Sequence, residues 1–377
     1  MSHAGGPVAI DVTAIPARPA GAGVYVVELV RALAAAGHVD LALVSRRDDE
    51  HRWRSLAPHA LVRATAPARR PVRLAWEQTV APAAARALGA SVWHGPHYTL
   101  PLLVGRPRVV TVHDMTFFDD PGWHERSKVA FFTRMIRLSV RRADVVVAVS
   151  DRTADRVRAL LAPAAPVLTI AHGVDHDRFS HTDGGDDLAR LAALGVHPPF
   201  LAFAGTVEPR KDLPGLVAAF DLVADRHPDV RLVLAGRPGW GSDALDAAIA
   251  GSPNRDRIRL LGYVGDDVVP ALFRAAAGVA YVPFAEGFGL PALEALACGA
   301  ALVTTSGTPM ADVADGAALL VPPGDRSALA DALDEVLTGG AEVQRLRAAG
   351  PAVAAPWTWE RCAAAHADAY RLAAAGR

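Results

Sequence analysis

Apolar runs of strand length alternate with helix-length stretches along this chain, which predicts an α/β protein with two doubly wound, Rossmann-like parallel sheets. Three observations carry that expectation. Segments such as 108–112, 144–149, 200–204 and 278–282 are apolar almost throughout, as strands buried on both faces are. The stretches between them carry apolar residues at helical spacing, as in Val26, Val27, Leu29, Val30 and Leu33. At 377 residues the chain exceeds one ordinary core, and the alternation pauses at a polar, glycine-bearing link near 180–187. The division read from this is 1–180, 181–355 and a terminal segment 356–377.

Taken in order, the first strand falls at 8–12. A Pro- and Gly-rich turn through Gly21 and Gly23 leads from it into the first helix. Strands are expected at 39–44, 91–94, 108–112, 144–149 and 167–170. Helices fill 73–88, 126–142 and 151–161, the last capped by Ser150. Beyond the link, strands fall at 200–204, 230–235, 257–261, 278–282 and 301–304. Helices at 213–226, 242–250, 266–276, 290–298 and 326–337 separate or follow them. Ligands of such folds gather beyond the carboxyl ends of the strands. The two domains are therefore expected to face one central cleft, with His113, Arg210, Lys211 and Glu286 at strand ends.

Composition excludes several classes. A formal net charge of −1 gives no electrostatic basis for nucleic-acid binding. With two cysteines, Cys298 and Cys362, in alanine-rich helical settings, a disulfide scaffold is excluded and a reducing, cytoplasmic setting expected. The N-terminus lacks a basic region followed by an apolar core, and no apolar stretch reaches about 18 residues.

Two motifs carry chemistry. In Glu286-Gly287-Phe288-Gly289-Leu290-Pro291-Ala292-Leu293-Glu294, a glycine-rich turn meets a proline suited to a first helical position. Backbone N–H groups of Gly287 to Leu290 then sit at a positive helix end, which favours an anion. Glu286 just before the helix and Glu294 in its first turn border the same ligand. An anionic centre with hydroxyls at both ends suits that layout, as in a nucleotide sugar. The second motif is Gly205-Thr206-Val207-Glu208-Pro209-Arg210-Lys211-Asp212, directly after the run 200–204. Lys211 is one of two lysines in the whole chain, the other being Lys128. Arg brings a fork of donors and Lys a compact charge, a pairing suited to a diphosphate that gains charge as a bond to it breaks. Asp212 reads as an N-cap ahead of Leu213-Pro214.

These segments resemble the family-four (group 1) retaining glycosyltransferases of GT-B fold, in a mannosyltransferase-like branch. Weaker matches are Thr111-Val112-His113-Asp114, Ala148-Val149-Ser150 and His172-Gly173-Val174-Asp175. Asp212 departs from the family's usual asparagine. The resemblance implies transfer of a hexose, mannose from GDP-mannose first, from a nucleoside diphosphate sugar to a glycan, lipid-linked or small-molecule hydroxyl. It implies catalytic roles for His113, Arg210, Lys211 and Glu286. Donor binding falls to Gly23, Gly205, Thr206, Gly287, Phe288, Gly289, Leu290 and Glu294. The first domain takes the acceptor side, and segment 356–377 returns to pack on it. No cofactor or metal is implied.

Rival readings stay in view. A dinucleotide site at Gly21-Ala22-Gly23, with Ser45-Arg46-Arg47 for NADP, lacks the third small residue of that fingerprint and leaves the C-terminal motifs unexplained. A catalytically silent nucleotide-sugar-binding subunit would have no need of Arg210, Lys211, Glu286 and Glu294 together. His94, His97, His113 and His124 show no zinc-ligand spacing, and Asp175-His176-Asp177 is a D-x-D triplet of the kind 40 acidic residues produce by chance. His113 reads equally, before any resemblance, as a core histidine bonded to backbone. Asp114 either holds its imidazole or turns the chain. In helix 126–142, Arg134, Arg137 and Arg141 lie opposite Val129, Phe132, Ile136 and Val140, which leaves a peripheral membrane contact open beside a plain solvated face.

Overall fold

The computed structural model describes residues 6–105, 107–182 and 185–376. They form two compact α/β units. One runs to Gly173 and resumes at Trp359, and the other spans Val174–Thr358. The stretch near 180–187 thus lies inside the second unit, apart from residues 183 and 184, which are outside the described residues. Arg274 anchors it there, with Nε and Nη2 on Asp187 at 2.6 and 2.8 Å and Nη1 on the Ser180 carbonyl at 3.0 Å.

The first unit holds strands β1 (Val8–Asp11), β2 (Leu41–Arg46), β3 (Leu61–Ala66), β4 (Val92–Gly95), β5 (Arg108–Val112), β6 (Val145–Ala148) and β7 (Val167–Thr169). They make one parallel sheet in the order β3-β2-β1-β4-β5-β6-β7. The second unit holds β8 (Phe200–Ala204), β9 (Arg231–Ala235), β10 (Ile258–Gly262), β11 (Gly278–Tyr281), β12 (Leu302–Thr305) and β13 (Ala318–Val321). These are also parallel, in the order β10-β9-β8-β11-β12-β13. Central strands such as β6 and β8 are buried along their whole length, which explains their continuous apolar sequence. In each sheet the order reverses once, between β1 and β4 and between β8 and β11. The carboxyl ends at such a reversal are where an open α/β sheet leaves a crevice for ligands.

Two strands, one helix break and several helices, of which Ala341–Ala354 is the longest, escape the sequence reading. β3 and β13 are sheet edges, and each shows mixed exposure instead of a continuous apolar run. The expected single helix at 73–88 is two, Arg70–Thr79 and Ala81–Ala87, with Pro82 at the start of the second. Proline has no N–H to continue the first helix and fits a new first turn.

The C-terminal helix Trp359–Ala375 packs on the first helix, Ala22–Ala36, within the first unit. A buried polar chain fastens it. Tyr370 Oη lies 2.8 Å from His94 Nδ1, and His94 Nε2 lies 2.9 Å from the Thr111 hydroxyl. Thr111 meets the Tyr25 hydroxyl at 3.0 Å, which meets His366 Nε2 at 2.8 Å. His94 and His366 have no exposed surface, and His172 close by is 5% exposed. Burial holds all three imidazoles neutral, pushing His366 down to about 4 and the other two well below the ordinary histidine range.

Because these folded values lie below the unfolded one, the stability they preserve is complete above about pH 6.5 and drains as pH falls towards 4. Each such histidine then costs up to about 1.4 kcal/mol per pH unit. Thermal melts at pH 7.5, 6 and 5 should show a falling midpoint, whereas a flat midpoint would contradict the buried neutral network.

Candidate active site

The second unit gathers the candidate residues at the reversal between β8 and β11. From β8 the chain enters Gly205–Glu208 and the short turn Pro209–Lys211. Gly205 has φ +155°, and a Cβ there would lie 3.1 Å from the Phe203 ring. A neighbouring loop that the sequence reading missed, Gly236-Arg237-Pro238-Gly239, runs alongside. Val207 N donates to the Arg237 carbonyl at 2.9 Å, and Gly239 N donates to the Val207 carbonyl at 2.9 Å. A Cβ on Gly236 would lie 1.7 Å from the Gly205 carbonyl oxygen, so glycine is required where the two loops meet.

Asp212 caps the next helix, Leu213–Ala224. Its carboxylate accepts from Gly215 N at 3.2 Å while its own backbone is left-handed. That agrees with the N-cap read from the sequence and fixes the direction in which Lys211 leaves the turn. From the other strand, β11 ends in Tyr281 and leads into Glu286. The Phe284 N–H donates to the Arg210 carbonyl at 2.8 Å, joining the two segments.

Arg210, Lys211 and Glu286 therefore meet. Arg210 Nη1 lies 2.6 Å from Glu286 Oε2, and the Lys211 ammonium pairs with Oε1. Arg210 Nε also reaches Glu208 at 3.0 Å. Tyr281, not foreseen from the sequence, donates its hydroxyl to Glu286 Oε1 at 2.6 Å and accepts from Lys211 Nζ. Burial raises the Tyr281 phenol above its ordinary range, so it stays a neutral donor.

Helix Leu290–Ala297 starts beside this group. Its N-cap, Gly289, has φ +92°, and a Cβ there would meet Met310 Cγ at 2.3 Å. Pro291 stands in the first turn, as read from the sequence, but Glu294 does not. The helix opens at Leu290, so Glu294 falls in the second turn, where it faces Arg178 Nη2 at 4.0 Å. Phe288 is buried edge-on against Trp357, with ring centres 5.7 Å apart.

In the first unit, His113 follows β5. Its Nε2–H donates to the Pro96 carbonyl at 2.8 Å, leaving the lone pair on Nδ1. This is the backbone-bonded histidine of the plainer reading, packed edge-on against Tyr25 and Tyr98. Asp114 turns the chain: its carboxylate accepts from Thr116 N at 3.0 Å, from the Thr116 hydroxyl at 2.6 Å and from the Tyr98 hydroxyl at 2.8 Å. Gly23 opens helix Ala22–Ala36 and packs closely on Pro19, where a Cβ would lie 3.1 Å from the Pro19 Cβ.

Other groups have structural partners. Asp175 accepts from the N–H groups of Asp177 and Arg178, both at 3.1 Å, so the D-x-D triplet is a capped turn. His366, one helical turn after Cys362, is a pairing the sequence reading overlooked. Its Nδ1 lies 2.8 Å from the Cys362 carbonyl, and burial raises the Cys362 thiol, so the pair is inert. Burial likewise pushes the Cys298 thiol up to about 12. In helix Arg126–Arg142, Ile136 and Val140 are buried, and Arg134, Arg137 and Arg141 are exposed along a groove of about 440 Å³ with Val129 and Leu138. Among the described residues, no helix is long and apolar enough to cross a membrane.

Two parallel-sheet units with a basic pair and a glycine-led helix at one strand-order reversal match the GT-B glycosyltransferase pattern that the sequence resembles. Comparison with known proteins agrees. The pattern described as "Glycosyl transferases group 1" matches residues 192–353, and "Glycosyltransferase Family 4" matches residues 19–178. The O-antigen chain mannosyltransferase B of Escherichia coli is 32% identical over 290 residues, 74% of each chain. A D-inositol 3-phosphate glycosyltransferase of Actinosynnema mirum is 36% identical over 225 residues, 54% of this chain and 53% of that protein. Sucrose-phosphate synthase from Thermosynechococcus elongatus superposes with a TM-score of 0.81 at 22% identity, covering 99% of this chain and 100% of that one. The chain belongs to the group 1, family 4 glycosyltransferases.

Proposed function

We propose that this glycosyltransferase moves mannose from GDP-mannose, with retention at the anomeric carbon, to a hydroxyl of a glycan or lipid-linked acceptor. The observation that carries the reading is the meeting of Arg210, Lys211 and Glu286 at the β8/β11 reversal beside a helix N-terminus. Likeness to an O-antigen mannosyltransferase supports mannose as the sugar and a glycan as the acceptor. Glucosyl and rhamnosyl donors are the nearest rivals.

In this mechanism the bond from the anomeric carbon to the diphosphate breaks as the acceptor oxygen approaches the same face. Negative charge grows on the leaving diphosphate, where Arg210, Lys211 and the N–H groups of Gly287 to Leu290 stabilise it. The acceptor's proton passes to the departing phosphate oxygen. Glu286 accepts from a sugar hydroxyl and Glu294 from the ribose. Gly205 and Thr206 bring backbone close to the phosphates. In the first unit, His113 keeps a lone pair on Nδ1 able to accept from a hydroxyl, and Gly23 lets backbone come close to an anion. A silent binding subunit would show none of this turnover.

Incubation with a panel of nucleotide sugars and no acceptor should give slow hydrolysis of GDP-mannose above the others, and absence of hydrolysis with every donor would refute the enzyme reading. Lys211→Ala should then cut turnover by about 10²–10³, the scale of one lost preorganised charge. Near-normal turnover would remove Lys211 from the mechanism.

We also propose that no metal takes part, because basic side chains and a helix end supply the charge that a cation otherwise would. The same assay with and without EDTA should give equal rates, and loss restored by magnesium or manganese would overturn this.

We further propose that transfer takes place in the cytoplasm, with the exposed Arg134, Arg137 and Arg141 resting on an anionic bilayer. Sedimentation with phosphatidylglycerol vesicles should pull the protein down at low salt and release it at high salt. Equal recovery with neutral vesicles would reject the contact.

A further inference from the structure

The two cations assigned to the diphosphate already hold an anion. Glu286 gives one carboxylate oxygen to each, Oε2 to Arg210 Nη1 at 2.6 Å and Oε1 to the Lys211 ammonium. Their side chains are nearly withdrawn from water, 6% exposed for Lys211, 10% for Glu286 and 18% for Arg210. Tyr281 pins the arrangement, donating to Oε1 at 2.6 Å while accepting from the lysine. Its ring is stacked on Phe203 at 5.8 Å between centres, so the hydroxyl has little freedom to follow a different partner. Glu208 adds a second carboxylate on the far side of Arg210, at 3.0 Å from Nε.

A diphosphate arriving here competes with a carboxylate that already satisfies both cations. We propose that Glu286 is a resident counter-anion, exchanged when the donor binds, and that Tyr281 is the positioning residue that holds it ready. Arg210 and Lys211 pass to phosphate oxygens, and the freed carboxylate accepts a hydroxyl of the donor sugar. A nucleoside diphosphate without a sugar offers the displaced carboxylate no hydroxyl, so Glu286 is left close to the phosphates without compensation. The same residue thus favours the intact donor and expels the spent nucleotide. This inference rests on the donor site proposed above but concerns the order of affinities, not the reaction.

Inorganic pyrophosphate is the probe, since it needs no knowledge of the base or sugar. Calorimetric titration of the full chain is done at low salt, where attraction between charges is least screened. Glu286→Gln should bind pyrophosphate about tenfold tighter than the wild type, the scale of one like charge removed. Glu286→Asp, which keeps the charge, should stay near the wild type, and Lys211→Ala should bind more weakly. In donor assays Glu286→Gln should combine this tighter anion binding with a lower kcat, a split that simple loss of structure does not produce. Equal or weaker pyrophosphate binding by a folded Glu286→Gln overturns the proposal. If that variant does not fold, Tyr281→Phe keeps every charge, loosens Oε1 and should gain about threefold, the lower end of what one hydrogen bond contributes. An unchanged affinity there overturns the proposal equally. Should the affinities follow this order while no nucleotide sugar is consumed, the counter-anion stands and the transferase reading falls. The reverse pattern, turnover without the order, sinks the exchange alone.

Discussion

A buried lysine needs a counter-charge, and much of the second unit is arranged around that requirement. Lys211 is 5% exposed in a chain whose other side-chain ammonium is Lys128 and whose remaining basic charge is on arginine. Left alone, an ammonium at that depth would bear its desolvation cost with nothing to offset it. Glu286 and the Tyr281 hydroxyl prevent this, and each reaches Lys211 because β8 and β11 are neighbours in the sheet. The turn that presents the lysine depends in turn on Asp212 capping the following helix and on glycines 205 and 236, which let two loops run in contact. Removing a link in this chain moves the charge, not merely a contact.

The first unit meets the same topological opportunity with different chemistry. Near its reversal between β1 and β4 lie His94, Thr111 and Tyr25, joined by neutral hydrogen bonds to a helix from the far end of the sequence. A network of hydroxyls and uncharged imidazoles avoids the desolvation cost of buried charge, provided that the solution stays above the range in which those imidazoles protonate. Here the polar groups serve architecture: they tell the C-terminal helix where to dock, more specifically than its alanine-rich surface could.

That contrast also explains what the sequence disclosed. Strands 108–112 and 200–204, helices 126–142 and 151–161, the Ser150 cap and the Asp212 cap were legible because local chemistry decides each of them. β3 and β13 were not, since an edge strand needs no unbroken apolar run. The Glu286 and Arg210–Lys211 motifs were readable as charges at strand ends next to glycine and proline. Tyr281 was hidden inside Gly278–Tyr281, where a tyrosine ending an apolar strand looks like core, and only the partner strand shows that its hydroxyl meets a salt bridge. Gly236-Arg237-Pro238-Gly239 read as an ordinary turn, because nothing local announces that another loop touches it. The link near 180–187 looked like a boundary by composition, yet Arg274, far along the chain, ties it into the second unit.

Charge and neutrality at the two reversals have a further consequence for how each unit tolerates change. In the hydrogen-bonded network of the first unit, losing a hydroxyl or imidazole leaves one or two partners unsatisfied, at about 1–3 kcal/mol each, and the remaining groups are still neutral. In the second unit, the loss of one member leaves an uncompensated buried charge, which costs more and alters the field felt by any bound anion. Glu286 lies where both effects coincide, its nearly buried carboxylate holding two cations at once. Its carboxylate sets the resting charge of this cluster, and under the proposed exchange an arriving phosphate would have to displace it.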